Sequence, residues 1–144
     1  MTEASTDSRT NAIRRLEQAV KSLGASAGTA HRLSGDGLTL RLVWSSGLPT
    51  HVLQSIEGIP KGKVLAGQAW STQRMVETCN LASDERVGAQ ARSLSYGSTF
   101  AIPIKVNGIF MGVLGVAFQE KHVMTAIEIE QLSKRFTELI STYS

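Results

Sequence analysis

Cysteine is all but missing. Cys79 is the only one in 144 residues, which excludes an intramolecular disulfide and any metal site built from several thiolates. Aromatic side chains make up only 6% of the chain, and Trp44, Trp70, Tyr96 and Phe100 are dispersed along it. They suit a core or a pocket wall better than a base-stacking platform. No apolar run approaches the roughly 18 residues of a membrane span, and residues 1–11 lack the apolar core of a signal peptide. There is no large surplus of charge either: the formal net charge is +3 without a clustered basic face, so neither nucleic acid nor a membrane is an expected partner. A lone thiol fits a reducing compartment, and a cytoplasmic location is the expectation.

Signatures of catalysis are missing as well. There is no H-E-x-x-H, no G-x-S-x-G, no glycine-rich fingerprint after a strand and no ligand set at metal spacing. His31, His51 and His122 lie far apart in the chain. The basic segment Gly58–Lys63 lacks Walker spacing and reads as a lid or connector. Asp84-Glu85 follows Ser83, so the pair is explained by a helix N-terminus, where carboxylates meet a favourable dipole. A reactive Cys79 would need a positive neighbour or a helix N-terminus to lower its pKa, so a buried structural thiol is the simpler reading. These residues lead to the expectation of a chain that is not an enzyme, with no catalytic residue and no metal site.

What is present is an ordinary globular composition, 42% hydrophobic and 19% charged, enough for one domain that buries about 70% of its unfolded surface. Residues 1–10 read as a frayed tail and 11–144 as a single domain. Ile13, Leu16, Val20 and Leu23 recur at helical spacing from about Ser8 to Leu23. Two strands are expected near 28–33 and 38–44. In the second, Leu38, Leu40, Leu42 and Trp44 alternate onto one face, and His31 is expected on the apolar side of the sheet. Short helices are expected over 51–56, capped by Thr50, over 64–71, and from Ser83 to about Ser95, with a short strand at 75–79.

The densest signal is Gly97–Phe118, two apolar runs joined by Asn107-Gly108. Asn-Gly adopts the positive φ angles of a type I′ turn, so the stretch reads as a hairpin. Its second run, IFMGVLGVAF, has no polar face and must be covered on both sides. Pro103, Gly112 and Gly115 remove a ladder donor or side chains, so space for a ligand is expected there. After it, Thr125-Ala126-Ile127-Glu128 has the form of a capping box, and Ile129, Leu132, Phe136, Leu139, Ile140 and Tyr143 form the apolar stripe of a last helix.

The order and wording of these pieces resemble a GAF domain. The pieces are GKVLAGQAW at 62–70, Val76-Glu77-Thr78 leading to Asn80, Ser83-Asp84-Glu85-Arg86, and YGSTFAIPI at 96–104 paired with NGIFMGVLGV at 107–116. The resemblance runs from about Asn11 to Ser144, although Asp84-Glu85-Arg86-Val87 departs from the family's D-P-R-F at two positions. It implies an α+β, PAS-related fold. A central antiparallel sheet of about five to six strands would carry the terminal helices on one face. Short helices and loops would roof a pocket on the other.

Within that family, free methionine sulfoxide reductases carry several cysteines, one in the segment that reads Val64-Leu65-Ala66-Gly67 here. Bilin-binding members follow their cysteine with histidine, where Cys79 precedes Asn80. The N-K-F-D-E signature of cyclic-nucleotide binders is matched only at its ends, by Asn80 and Asp84-Glu85.

The resemblance therefore implies a non-enzymatic sensory domain that binds a small molecule of unnamed identity, with Trp44, Trp70, Cys79, Tyr96, Ser98 and Phe100 as the candidate ligand-binding wall. It would signal by rearrangement of helices or of a homodimer formed through the terminal helices, to a partner in trans or to an output domain beyond this stretch. The alternatives are a dimerisation module with a degenerate pocket, or a redox sensor or reductase acting through Cys79.

Overall fold

At the tip of the hairpin Asn107 has φ 53° and Gly108 φ 79°. Glycine has no Cβ to resist that region, and asparagine tolerates it better than most residues. The computed structural model describes residues 2–143 of the chain. The hairpin is β5 (Ser98–Val106) and β6 (Ile109–Phe118). It lies within a six-stranded antiparallel sheet with β1 (Ala27–Leu33), β2 (Thr39–Ser46), β3 (Gly58–Pro60) and β4 (Val76–Thr78), in the order β3-β2-β1-β6-β5-β4. β1 and β6 are the central pair. The fold is the α+β arrangement expected from the sequence.

Four helices complete it: α1 (Thr2–Ser22), α2 (Thr50–Ser55), α3 (Val64–Thr72) and α4 (Ala126–Ser141). α1 begins well before Ser8. Of the expected tail, Met1 lies outside the described residues and 2–10 form the first turns of this helix. α4 carries the capping box in full, Thr125 accepting from the Glu128 backbone and Glu128 from that of Thr125.

One sheet face is sealed by α1 and α4. Leu16 and Val20 meet Leu132, Phe136 and Leu139, and all of them pack with Phe100, Ile102, Ile104, Leu114, Val116 and Phe118. Burying this many large side chains is the main stabilising contribution, at about 25 cal/mol per Å² of apolar surface removed from water. The apolar stripes of the two terminal helices are thus used on the sheet and on each other. Arg15 and Glu138 add an exposed ion pair between them at 3.1 Å, worth little alone.

Two bulges re-aim side chains in ways that simple alternation does not anticipate. Ala30 pairs with Trp44 but His31 pairs with Leu42, so Val43 is extra on β2. Leu40 therefore joins the cluster on the far face while Trp44 joins the helix-side core. They do not share a face, because an inserted residue resets the period of two. Leu38, expected on the apolar face, lies in the preceding turn and is exposed. The second bulge leaves Met111 extra between Gly112 and Phe110. It turns Phe110 to the far face, where it stacks on Trp70 with 5.8 Å between ring centroids.

The middle of the chain departs most from expectation. Gly58–Pro60 is not a free connector but the edge strand β3, paired with Thr39–Arg41. Pro49, not Thr50, stands at the N-cap of α2. No α-helix begins at Ser83; residues 79–97 run as turns with one short 3-10 turn at Ala89–Ala91. Asp84 spends its carboxylate on Arg86 instead of on a helix end, accepting from its backbone N–H and from its guanidinium. Among the described residues no helix is long and apolar enough to cross a membrane.

Candidate functional site

Across β1, β6 and β5 the residues facing away from α1 and α4 fall into rows. Ala27, Ala117 and Thr99 form one row, Thr29, Gly115 and Ala101 the next, and His31, Val113 and Pro103 the third. α3 covers Val113 of the third row, its Ala69 and Trp70 packing with Val113 and Ala101, while His31 stays at the edge of the cavity. The first two rows hold nothing larger than threonine. α2 and the 79–96 segment span this part of the sheet without touching down, and a cavity of about 320 Å³ remains beneath them. That is within the range of small-molecule sites.

The roof is pinned at a few points. Leu81 and Val87 turn inward and are buried. Arg86 ties the roof to β4 by donating to the Glu77 carbonyl at 2.9 Å, and its 2.6 Å pairing with Asp84 holds the Asp84 carboxyl far below the usual carboxylate range. On the other side His31 contacts the end of α2, its Nε2 lying 2.7 Å from the Ile56 carbonyl. A carbonyl only accepts, so Nε2 carries the proton. Burial pushes the His31 pKa down to about 4, outweighing the opposing effect of that hydrogen bond. The ring is therefore neutral, and Nδ1 is left as an acceptor.

Two polar atoms of floor residues are buried without a hydrogen-bond partner, His31 Nδ1 and Thr99 Oγ1. Each carries a cost that a bonded group does not. Gly115 leaves room for the hydroxyl of Thr29, since a Cβ there would come within 2.5 Å of Thr29 Oγ1. At the cavity wall Val64 holds φ 50°, a left-handed conformation that a branched side chain resists, and such strain gathers at functional sites.

Of the six residues expected as a ligand wall, the cavity brings together two. Tyr96 borders it, half-buried, with its hydroxyl pKa pushed up by burial. Phe100 borders it too, but its ring packs among the helix-side core, edge-on to Phe118. Trp44 lies on the opposite face, its indole over Gly28 and beneath Val20. Ser98 also points that way, accepting from the His122 backbone N–H at 2.9 Å. Trp70 is stacked on Phe110 outside the cavity, and Cys79 is exposed and not buried as expected. Of the glycines expected to leave space, Gly115 does so. Gly112 faces α4, where a Cβ would come within 2.8 Å of the Phe136 ring. Thr29, His31, Thr99 and Ala101 were not anticipated. Their signal is small or polar side chains at alternate positions of three neighbouring strands.

Comparison with known proteins bears on the same features. Residues 9–134 match the model of a GAF domain family. No curated protein matches the chain. Among solved structures, the GAF domain/HD domain protein from Geobacter sulfurreducens superposes with a TM-score of 0.75 at 14% identity, over 99% of this chain and 98% of that one. The type II free methionine-R-sulfoxide reductase from Thermoplasma acidophilum superposes with a TM-score of 0.67 at 16% identity, covering 94% of each chain. The free methionine-R-sulfoxide reductase from Neisseria meningitidis gives 0.69 at 19% identity, over 93% of this chain and 80% of that one. Identities this low show the fold alone. They nevertheless correct one expectation: enzymes share this fold, so the reading that the chain is not an enzyme does not stand.

Proposed function

The chain belongs to the GAF domain family, and we propose that it is a sensory or regulatory domain that binds a small molecule in the cavity between β1–β6–β5 and the α2/79–96 roof. The fold supports a sensory or regulatory role. The observation that carries ligand binding is the cavity itself: about 320 Å³ over a floor whose side chains are small in two successive rows. An apolar concavity of this size with a few polar side chains at its wall is the usual form of a small-molecule site.

The sheet offers a path from ligand to terminal helices. β5 and β6 present alternate residues to the two faces, so Thr99 and Ala101 meet the cavity while Phe100 and Ile102 meet the helix-side core. A ligand that shifts β5 therefore shifts the packing of α4. A homodimer through α1 and α4 would use their outward polar faces, since the apolar stripes are already covered.

Native mass spectrometry of the freshly purified chain, followed by thermal shift against nucleotides, haem, amino acids and neutral metabolites, tests the reading. A retained molecule or a specific shift is expected, and Ala117→Leu, which fills the floor, should abolish it. Silence across the whole screen would remove the case for a ligand-binding domain.

A further inference from the structure

The cavity is selective for the charge of its occupant, an inference that rests on the ligand-binding reading above. None of its lining residues is Asp, Glu, Lys or Arg. Its polar side chains are Thr29, His31, Ser55, Gln90, Tyr96 and Thr99. The two that titrate stay neutral around pH 7, because burial lowers His31 to about 4 and raises Tyr96 above its ordinary value. In the roof, Asp84 and Arg86 are paired with each other and do not line the cavity. A carboxylate, phosphate or ammonium group moved against such walls gives up hydration and gains no counter-charge.

Size narrows the class further. The volume of about 320 Å³ is roughly twice that of an apolar cavity of about 150 Å³ that accepts benzene. His31 Nδ1 and Thr99 Oγ1 are sealed below the floor and offer a charged group no partner. We propose that the cavity takes an uncharged molecule of one or two rings, and rejects anions and cations of the same size.

The test is isothermal titration of the full chain at pH 7.5 with indole, indole-3-carboxylate and 3-(aminomethyl)indole, which share one ring system and differ in charge. Indole should bind at least tenfold more tightly than either ion, and Ala117→Leu should abolish its binding. Equal or tighter binding of a charged analogue overturns the charge selectivity while leaving a ligand-binding domain intact. Indole binding that survives Ala117→Leu lies outside the cavity and overturns the proposal. Binding by none of the three also overturns it, whereas the ligand-binding reading falls only if the broader screen is silent too.

Discussion

His31 Nε2 donates to the carbonyl oxygen of Ile56 at 2.7 Å, joining the central strand β1 to the end of α2 across one edge of the cavity. The bond fixes the tautomer, and burial keeps the ring neutral with a pKa of about 4. The unfolded chain takes up a proton near pH 6.5, while the folded chain resists until about pH 4. The unfolded state therefore binds more protons in that window, and stability falls as pH falls through it. Between pH 7.5 and pH 5 this side chain should cost about 2 kcal/mol of stability. Urea unfolding of the native chain and of His31→Gln at both pH values checks this: the variant should lose less on acidification, and an identical loss in both would refute a neutral buried His31.

Thr99 gives a prediction of opposite sign. Its buried hydroxyl has no partner in the ligand-free chain, so Thr99→Val removes a desolvated group at nearly constant shape. The protein should gain up to about 1 kcal/mol, read as a higher melting temperature. A drop in stability would mean that the hydroxyl is already satisfied.

Gly67 holds α3 against the loop that leaves β3. A Cβ there would meet the Pro60 carbonyl oxygen at 2.7 Å and the Gly62 nitrogen at 3.2 Å, both backbone atoms that cannot swing aside. Gly62 N–H also donates to the Gly67 carbonyl at 2.9 Å. Gly67→Ala should destabilise the protein by about 1–3 kcal/mol, measured by chemical denaturation. An unchanged midpoint would show that α3 can lift at no cost.

The Asp84–Arg86 pair anchors the roof instead of the core. Asp84→Ala frees the Arg86 guanidinium, which otherwise bridges Asp84 and the Glu77 carbonyl. Hydrogen exchange and limited proteolysis should quicken within residues 79–96 while the melting temperature barely moves, because the pair belongs to the roof and neither residue is part of the buried apolar core. Loss of the whole fold on this substitution would mean that the roof is part of the global core.

Long local patterns were readable without coordinates. The Asn107-Gly108 turn, the Thr125–Glu128 capping box and the stripe of α4 each depend on residues close in sequence, and all three are present. The helix expected after Ser83 is not, because Asp84 finds Arg86 two residues away and the segment is held by inward anchors such as Leu81 and Val87. Simple alternation misplaced Trp44 because it does not register an inserted Val43. The chemical character of Cys79 and Trp70 does not place them at the cavity; what makes the cavity is the smallness of Ala27, Gly115, Ala117 and Ala101.

By itself, then, the amino-acid sequence determined the class of fold, the central hairpin and the helix that closes the chain, since turn chemistry and apolar period act over a few residues. Only the tertiary structure decided where the cavity lies, which side chains border it and that its walls carry no charge. Those properties arise from strands brought together across register and bulges, and a residue's neighbours in space are not its neighbours in the chain.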